Sequence, residues 1–115
     1  MNARVMTAQI MPGKTDQMLK IFQSITSTTK NLKGFKGFLT LTNRNTNKTI
    51  SISLWETKAD MIEGETSGYL KEKIAQIAAH NTFAVPPVTE HYDVSIYIPP
   101  DILEQNVPNN STTIA

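Results

Sequence analysis

The segment 49–56 constrains the chain most: Ile50, Ile52 and Leu54 alternate with Ser51, Ser53 and Trp55, the period of two expected of a strand with unlike faces. After Trp55 the period changes. Ala59, Met61 and Ile62 begin a short helical pattern that breaks near Gly64. Leu70, Ile74, Ile77 and Ala78 form a second helical segment that starts at Gly68, with Ser67 as its N-cap. Ahead of the alternating segment, residues 35–44 carry Phe38, Thr40 and Thr42 on one side and Leu39 and Leu41 on the other. The turn residues Asn45, Thr46 and Asn47 join these two strands as a hairpin. Gly37 marks a bulge near the start of the earlier strand.

The same pattern of strand, helix and strand surrounds this centre. Val5, Thr7, Gln9 and Met11 alternate with Arg4, Met6, Ala8 and Ile10 until Pro12 and Gly13 stop the strand. From residue 15 to 31, Met18, Phe22, Ile25 and Leu32, broadened by Leu19 and Ile21, trace one helical stripe. The run Ser24, Thr26, Ser27, Thr28 and Thr29 has poor helix propensity, so tertiary packing must hold the last turns. Lys30, Lys33 and Gly34 supply the cations and glycine expected at a helix C-terminus. Asn81, Pro86 and Pro87 end the later helix. Tyr92, Val94, Ile96 and Ile98 then alternate with His91, Asp93, Ser95 and Tyr97 as a last strand, stopped by Pro99 and Pro100.

This order predicts an α+β, ferredoxin-like βαββαβ domain over residues 1–98: a four-stranded antiparallel sheet with the helices on one face. Residues 99–115 form a C-terminal tail, or an arm that docks on a neighbour through Ile102 and Leu103. The rows Ile50, Ile52, Leu54 and Tyr92, Val94, Ile96 are expected against the helices. Trp55, Ser51, Ser53, His91 and Tyr97 then fall on the outer face, and a two-fold dimer with the sheets face to face would cover them.

Composition narrows the chemistry. Eleven basic and ten acidic residues leave a net charge of +1, without the basic stripe expected for nucleic acid or an anionic membrane. The absence of cysteine removes disulfides, thiolate nucleophiles and Cys-ligated metals. No apolar run approaches the ~18 residues of a membrane span, and the N-terminus lacks a secretory pattern, so the expected location is cytoplasmic. There is no glycine-rich phosphate loop, and two distant histidines give no recognisable metal site.

The stretch Gly34-Phe35-Lys36-Gly37-Phe38, followed by the hairpin and by Ser51-Ile52-Ser53-Leu54-Trp55-Glu56-Thr57-Lys58-Ala59-Asp60-Met61, resembles the antibiotic biosynthesis monooxygenase family of dimeric α+β barrels. The resemblance covers about residues 3–98. It implies a homodimer through the sheet faces, a pocket between helices and sheet, and oxygenation of a small aromatic or quinone-like substrate without a cofactor. A non-catalytic, ligand-binding or stress-associated module of the same fold is the alternative. The haem-degrading branch resembles the chain least: Trp55 matches, but Met6 stands where that pattern has Asn and Glu65 where it has the iron-binding His.

Four residues are candidates for the site. Trp55 is either a pocket wall for a flat substrate or a structural aromatic at a strand end. Tyr69 can donate a phenolic proton, or lie half-buried on its helix. His80 and His91 are the only imidazoles; either can deprotonate a phenol, or be a surface histidine. The oxygenase reading requires an ionisable or hydroxyl group among Trp55, Tyr69, His80, His91 and Tyr92 to point into the pocket. Arg44 and Glu56 are expected as solvated charges.

Overall fold

The computed structural model describes residues 1–66 and 69–101, without the side chains of Thr28, Tyr69, Leu70 and Lys73. The expected N-cap Ser67, the helix start at Gly68 and the tail from Ile102 onward lie outside the described residues. The elements are β1 (Asn2–Gln9), α1 (Thr15–Thr29), β2 (Phe35–Asn43), β3 (Lys48–Trp55), α2 (Lys58–Thr66), α3 (Tyr69–Ala78) and β4 (Val88–Asp93). The four-stranded sheet has the order β2-β3-β1-β4 with antiparallel neighbours, the ferredoxin-like arrangement expected from the element order.

Local chemistry explains most element boundaries. Thr57 Oγ1 accepts from the Asp60 amide at 3.0 Å and caps α2. In the hairpin, Asn43 Oδ1 accepts from the amides of Asn45 and Thr46, and Asn47 takes a left-handed φ of 59°. The expected bulge is present as a register shift between Phe35 and Gly37. The hydroxyl-rich end of α1 bonds back into its own helix: Thr26 Oγ1 donates to the Phe22 carbonyl and Thr29 Oγ1 to that of Ile25. α1 stops at Thr29, so Lys30, Lys33 and Gly34 fall beyond it. Gly34 instead serves the turn into β2, with φ of 77° and the Asp60 carboxylate where a β-carbon would sit.

Three expectations change. The sheet faces are the reverse of those expected: Thr49, Ser51, Ser53 and Trp55 are buried with Arg4, Met6 and Ala8. Ile50, Ile52 and Leu54 share the other face with Leu39 and Leu41. Alternation reveals that two faces differ, but either can meet the helices. Here the helices bring the bulk themselves, since Met18, Phe22 and Ile77 form the core with Met6, Ala8 and Ile10.

The last strand also differs. It covers Val88–Asp93, and residues 94–98 are not strand. The Val94 amide donates to the Met1 carbonyl at 2.9 Å, where the partner strand ends, so Ile96 and its neighbours have no ladder among the described residues. Finally, α2 runs through Gly64 without breaking. A β-carbon there would stand 3.3 Å from Trp55 and 3.4 Å from Arg4, so glycine lets the helix approach the sheet.

The face assignment can be checked by stability. Met18→Ala should cost about 2–5 kcal/mol, and Ala8→Leu, which overpacks the same face, about 1–3 kcal/mol. Urea unfolding of both variants measures this, and unchanged midpoints would contradict the placement.

Candidate functional site

β1 and β3 pair with Arg4 opposite Ser53 and Met6 opposite Ser51. All four side chains face the helices. Because the serines are small, the sheet does not fill the space beneath α1 and α3, and a cavity of about 80 Å³ remains. Met6, Phe22, Ile25, Phe38, Ile74 and Ile77 form its apolar walls, while Arg4, Ser51, Ser53, Thr26 and Thr29 supply its polar atoms. Phe22 and Phe38 meet edge to face at 6.2 Å.

Arg4 is the centre of the polar end. Only 8% of the residue is exposed, yet its guanidinium is compensated on three sides. Nε donates to Glu65 Oε1 at 2.9 Å, Nη2 donates to the Met61 carbonyl at 2.9 Å, and the charge lies 5.2 Å from the Trp55 ring centroid. Burial pulls the Arg4 pKa below its ordinary value and the Glu65 carboxylate opposes that shift. An arginine remains cationic under such pressure.

The serines differ in their bonding. Trp55 Nε1 donates to Ser53 Oγ at 2.9 Å, whereas Ser51 Oγ is buried and has no partner. An unmade hydrogen bond of this kind costs about 1–3 kcal/mol. A ligand oxygen in the cavity can complete it, as can water.

Contrary to the sequence expectation, none of the candidates Trp55, His80, His91 and Tyr92 lines the cavity; its polar groups come from Arg4, Ser51, Ser53, Thr26 and Thr29 instead. Trp55 is buried but does not line the cavity; it packs edge to face on Phe35 at 5.6 Å and positions Arg4 and Ser53 from behind. Tyr69 opens α3, and its side chain lies outside the described part. His80 is exposed after α3, with Nδ1 3.4 Å from Gln17 Nε2. Tyr92 occupies the open face, where a hydrogen bond to Glu90 raises its pKa.

His91 is opposite Arg4 across the β1/β4 pair. Its Nε2 lies 2.5 Å from Glu65 Oε1. With Glu65, Lys71, Ile74 and Thr89 it lines an open cleft of about 390 Å³, and Ile74 also belongs to the cavity wall. Arg44 and Glu56 form exposed pairs with Asp16 and Lys36, as solvated charges do.

Sequence reasoning missed Arg4, Ser51, Ser53 and Glu65 as site residues. One signal was available for Arg4: a charge inside an alternating strand, on the same row as Met6, Ala8 and Ile10. Small polar residues on one face of β3 likewise mark unfilled space. Glu65 has no comparable local signature.

No family profile matches the sequence, and no curated protein matches it. Solved structures do match, at identities that establish the fold. The chain is similar to an antibiotic biosynthesis monooxygenase at 14% identity and TM-score 0.65, with 84% of this chain and 100% of that chain covered. It is similar to a mutant of SnoaB, a cofactor-independent oxygenase from Streptomyces nogalater, at 13% identity and TM-score 0.67, covering 85% and 96%. A protein of unknown function from Nitrosomonas europaea aligns at 14% identity and TM-score 0.71, covering 86% and 93%. The fold is thus that of the antibiotic biosynthesis monooxygenases. Among the described residues, no helix is long and apolar enough to cross a membrane.

The buried pair provides a direct check. Glu65→Gln should destabilise the fold by about 1.5–3 kcal/mol through the weakened bond to Arg4. Arg4→Met should be less damaging in the Glu65→Gln background than in wild type, because no carboxylate is then left unpaired. A double-mutant cycle by chemical unfolding measures the coupling, and strictly additive losses would show that the pair does not act as a unit.

Proposed function

We propose that the chain is a monooxygenase that works without a bound cofactor on a small aromatic or quinone-like substrate. The observation that carries this reading is the unpartnered Ser51 hydroxyl, which with Arg4 lines an otherwise largely apolar cavity. Apolar walls take a ring, while the hydroxyl and guanidinium can donate to its oxygen. Charge developing on that oxygen would be stabilised by donors already in place.

Size supports a small ligand. The enclosed volume of about 80 Å³ is near half of the ~150 Å³ cavity known to hold benzene. It accommodates the edge of one ring, with the rest of the ligand extending into the opening. The protein then contributes orientation, exclusion of water and proton transfer, while dioxygen is the oxidant. Similarity in fold to a structure described as a cofactor-independent oxygenase supports the same reading. The second reading, a binding module without a reaction, is favoured by the six apolar wall residues and by Trp55 lying behind the lining.

We also infer a homodimer through the open sheet faces. Leu39, Leu41, Val88 and Tyr92 are 42%, 49%, 59% and 48% exposed on that face, and Ile50, Ile52 and Leu54 lie between the outer strands. An apolar surface of this kind is normally covered, and an isologous pair covers both copies at once.

Two measurements test these inferences. Purified protein given hydroquinone and anthrone should consume oxygen above a protein-free blank, and Ser51→Ala should lower the rate at least ~10-fold. No uptake with either substrate would favour the binding reading. Light scattering should give twice the monomer mass, falling to the monomer in Leu41→Lys; a wild-type monomer at micromolar concentration would sink the dimer.

A further inference from the structure

His91 and Glu65 come from opposite sides of the cleft and meet beside the cavity. β4 is antiparallel to β1, and its register sets His91 opposite Arg4 on the helix-facing side of the sheet. α2 carries Glu65 over both residues. A single carboxylate oxygen, Oε1, accepts from Arg4 Nε at 2.9 Å and lies 2.5 Å from His91 Nε2. The Glu65 side chain is 19% exposed and that of His91 39%. One end of the arrangement is therefore protected, while the other exchanges with water.

This geometry assigns distinct work to the two ring nitrogens. When Nε2–H donates to Glu65, a neutral imidazole carries its lone pair on Nδ1. Should Nδ1 gain a proton, the new positive charge sits against the carboxylate. Other groups around the ring are Arg4 from β1, Lys71 from α3 and Thr89 from β4. Arg4 opposes a second cation, but Glu65 lies between the two. The carboxylate also fixes the ring orientation, as a carboxylate partner does for a histidine base.

We propose that His91, positioned by Glu65, is the proton acceptor of the reaction. The inference rests on the oxygenase reading and adds its base. Ile74 lines both the cavity and the cleft, so a substrate that spans the two brings its acidic group to the imidazole. The substrate's acidic O–H or C–H bond breaks, the electron pair stays on the substrate, and the proton moves to His91 Nδ1. The products of this step are a substrate anion and an imidazolium paired with Glu65. No electron leaves the protein, and dioxygen is the oxidant consumed afterwards. The exposed side of the ring returns the proton to solvent.

The test uses anthrone in D2O under argon, so that proton removal is measured without oxygenation. Wild type should accelerate exchange of the anthrone methylene hydrogens, followed by NMR, over a protein-free blank. His91→Gln should lose that acceleration, by about 10²–10⁴-fold for a general base. His91→Ala should regain part of it when imidazole is added, a response that a merely structural histidine would not give. Glu65→Gln should retain some exchange with an altered pH profile, which separates positioning from proton acceptance. Exchange equal to the blank in wild type, or undiminished in folded His91→Gln, overturns the proposal. Oxygen uptake measured in parallel distinguishes the two failures. Uptake that survives His91→Gln removes the base but keeps the oxygenase, whereas His91-dependent exchange without uptake keeps the base and removes the oxygenase.

Discussion

The buried guanidinium of Arg4 is the constraint around which one end of the molecule is arranged. A cation removed from water must be paired or hydrogen-bonded, and Arg4 recruits three groups from two other elements to satisfy this. β3 presents the Trp55 face, while α2 contributes the Met61 carbonyl and the Glu65 carboxylate. Gly64 in the same helix has no side chain to keep the helix away. One charge, at the third position of β1, thus ties α2 and Trp55 to the same point of the sheet.

The cavity has the complementary origin. Met6, Met18, Phe22 and Ile77 pack as a core beneath the helices, and where two serines stand on β3 the sheet surface is left low, with Met6, Phe22 and Ile77 among the walls of the space. The serine hydroxyls keep that depression polar. Trp55 occupies the Ser53 hydroxyl as an acceptor and leaves Ser51 without a partner. A depression with apolar sides and an unsatisfied donor at its base suits a ligand with a flat body and one oxygen. Arg4 belongs to both the lining and the ion pair with Glu65, so the polar end of the cavity is mechanically continuous with the cleft where His91 lies.

Much of the fold was legible because its signals are local. Alternation along β3, the helical stripe of α1, the turn residues of the hairpin and the bulge at Gly37 are all properties of neighbouring residues. The site was far less legible. Trp55 stood out as a lone tryptophan, but it acts here as support behind the lining. Ser51 and Ser53 looked like the solvent side of a strand, since polar residues in an alternating segment usually are. His91 was identifiable as an imidazole, without any indication that Glu65 would meet it.

The sequence by itself determined the order of strands and helices, the hairpin and the ferredoxin-like class, because hydrophobic period and turn chemistry are written within a few residues. Only the tertiary structure decided which face of the sheet meets the helices, where β4 ends, and that Arg4, Glu65 and His91 converge. A period-two pattern keeps its form when the sheet is turned over, and a strand persists only as far as it has a partner. The Arg4–Glu65 contact joins residues 61 positions apart, and no local pattern encodes a contact at that separation.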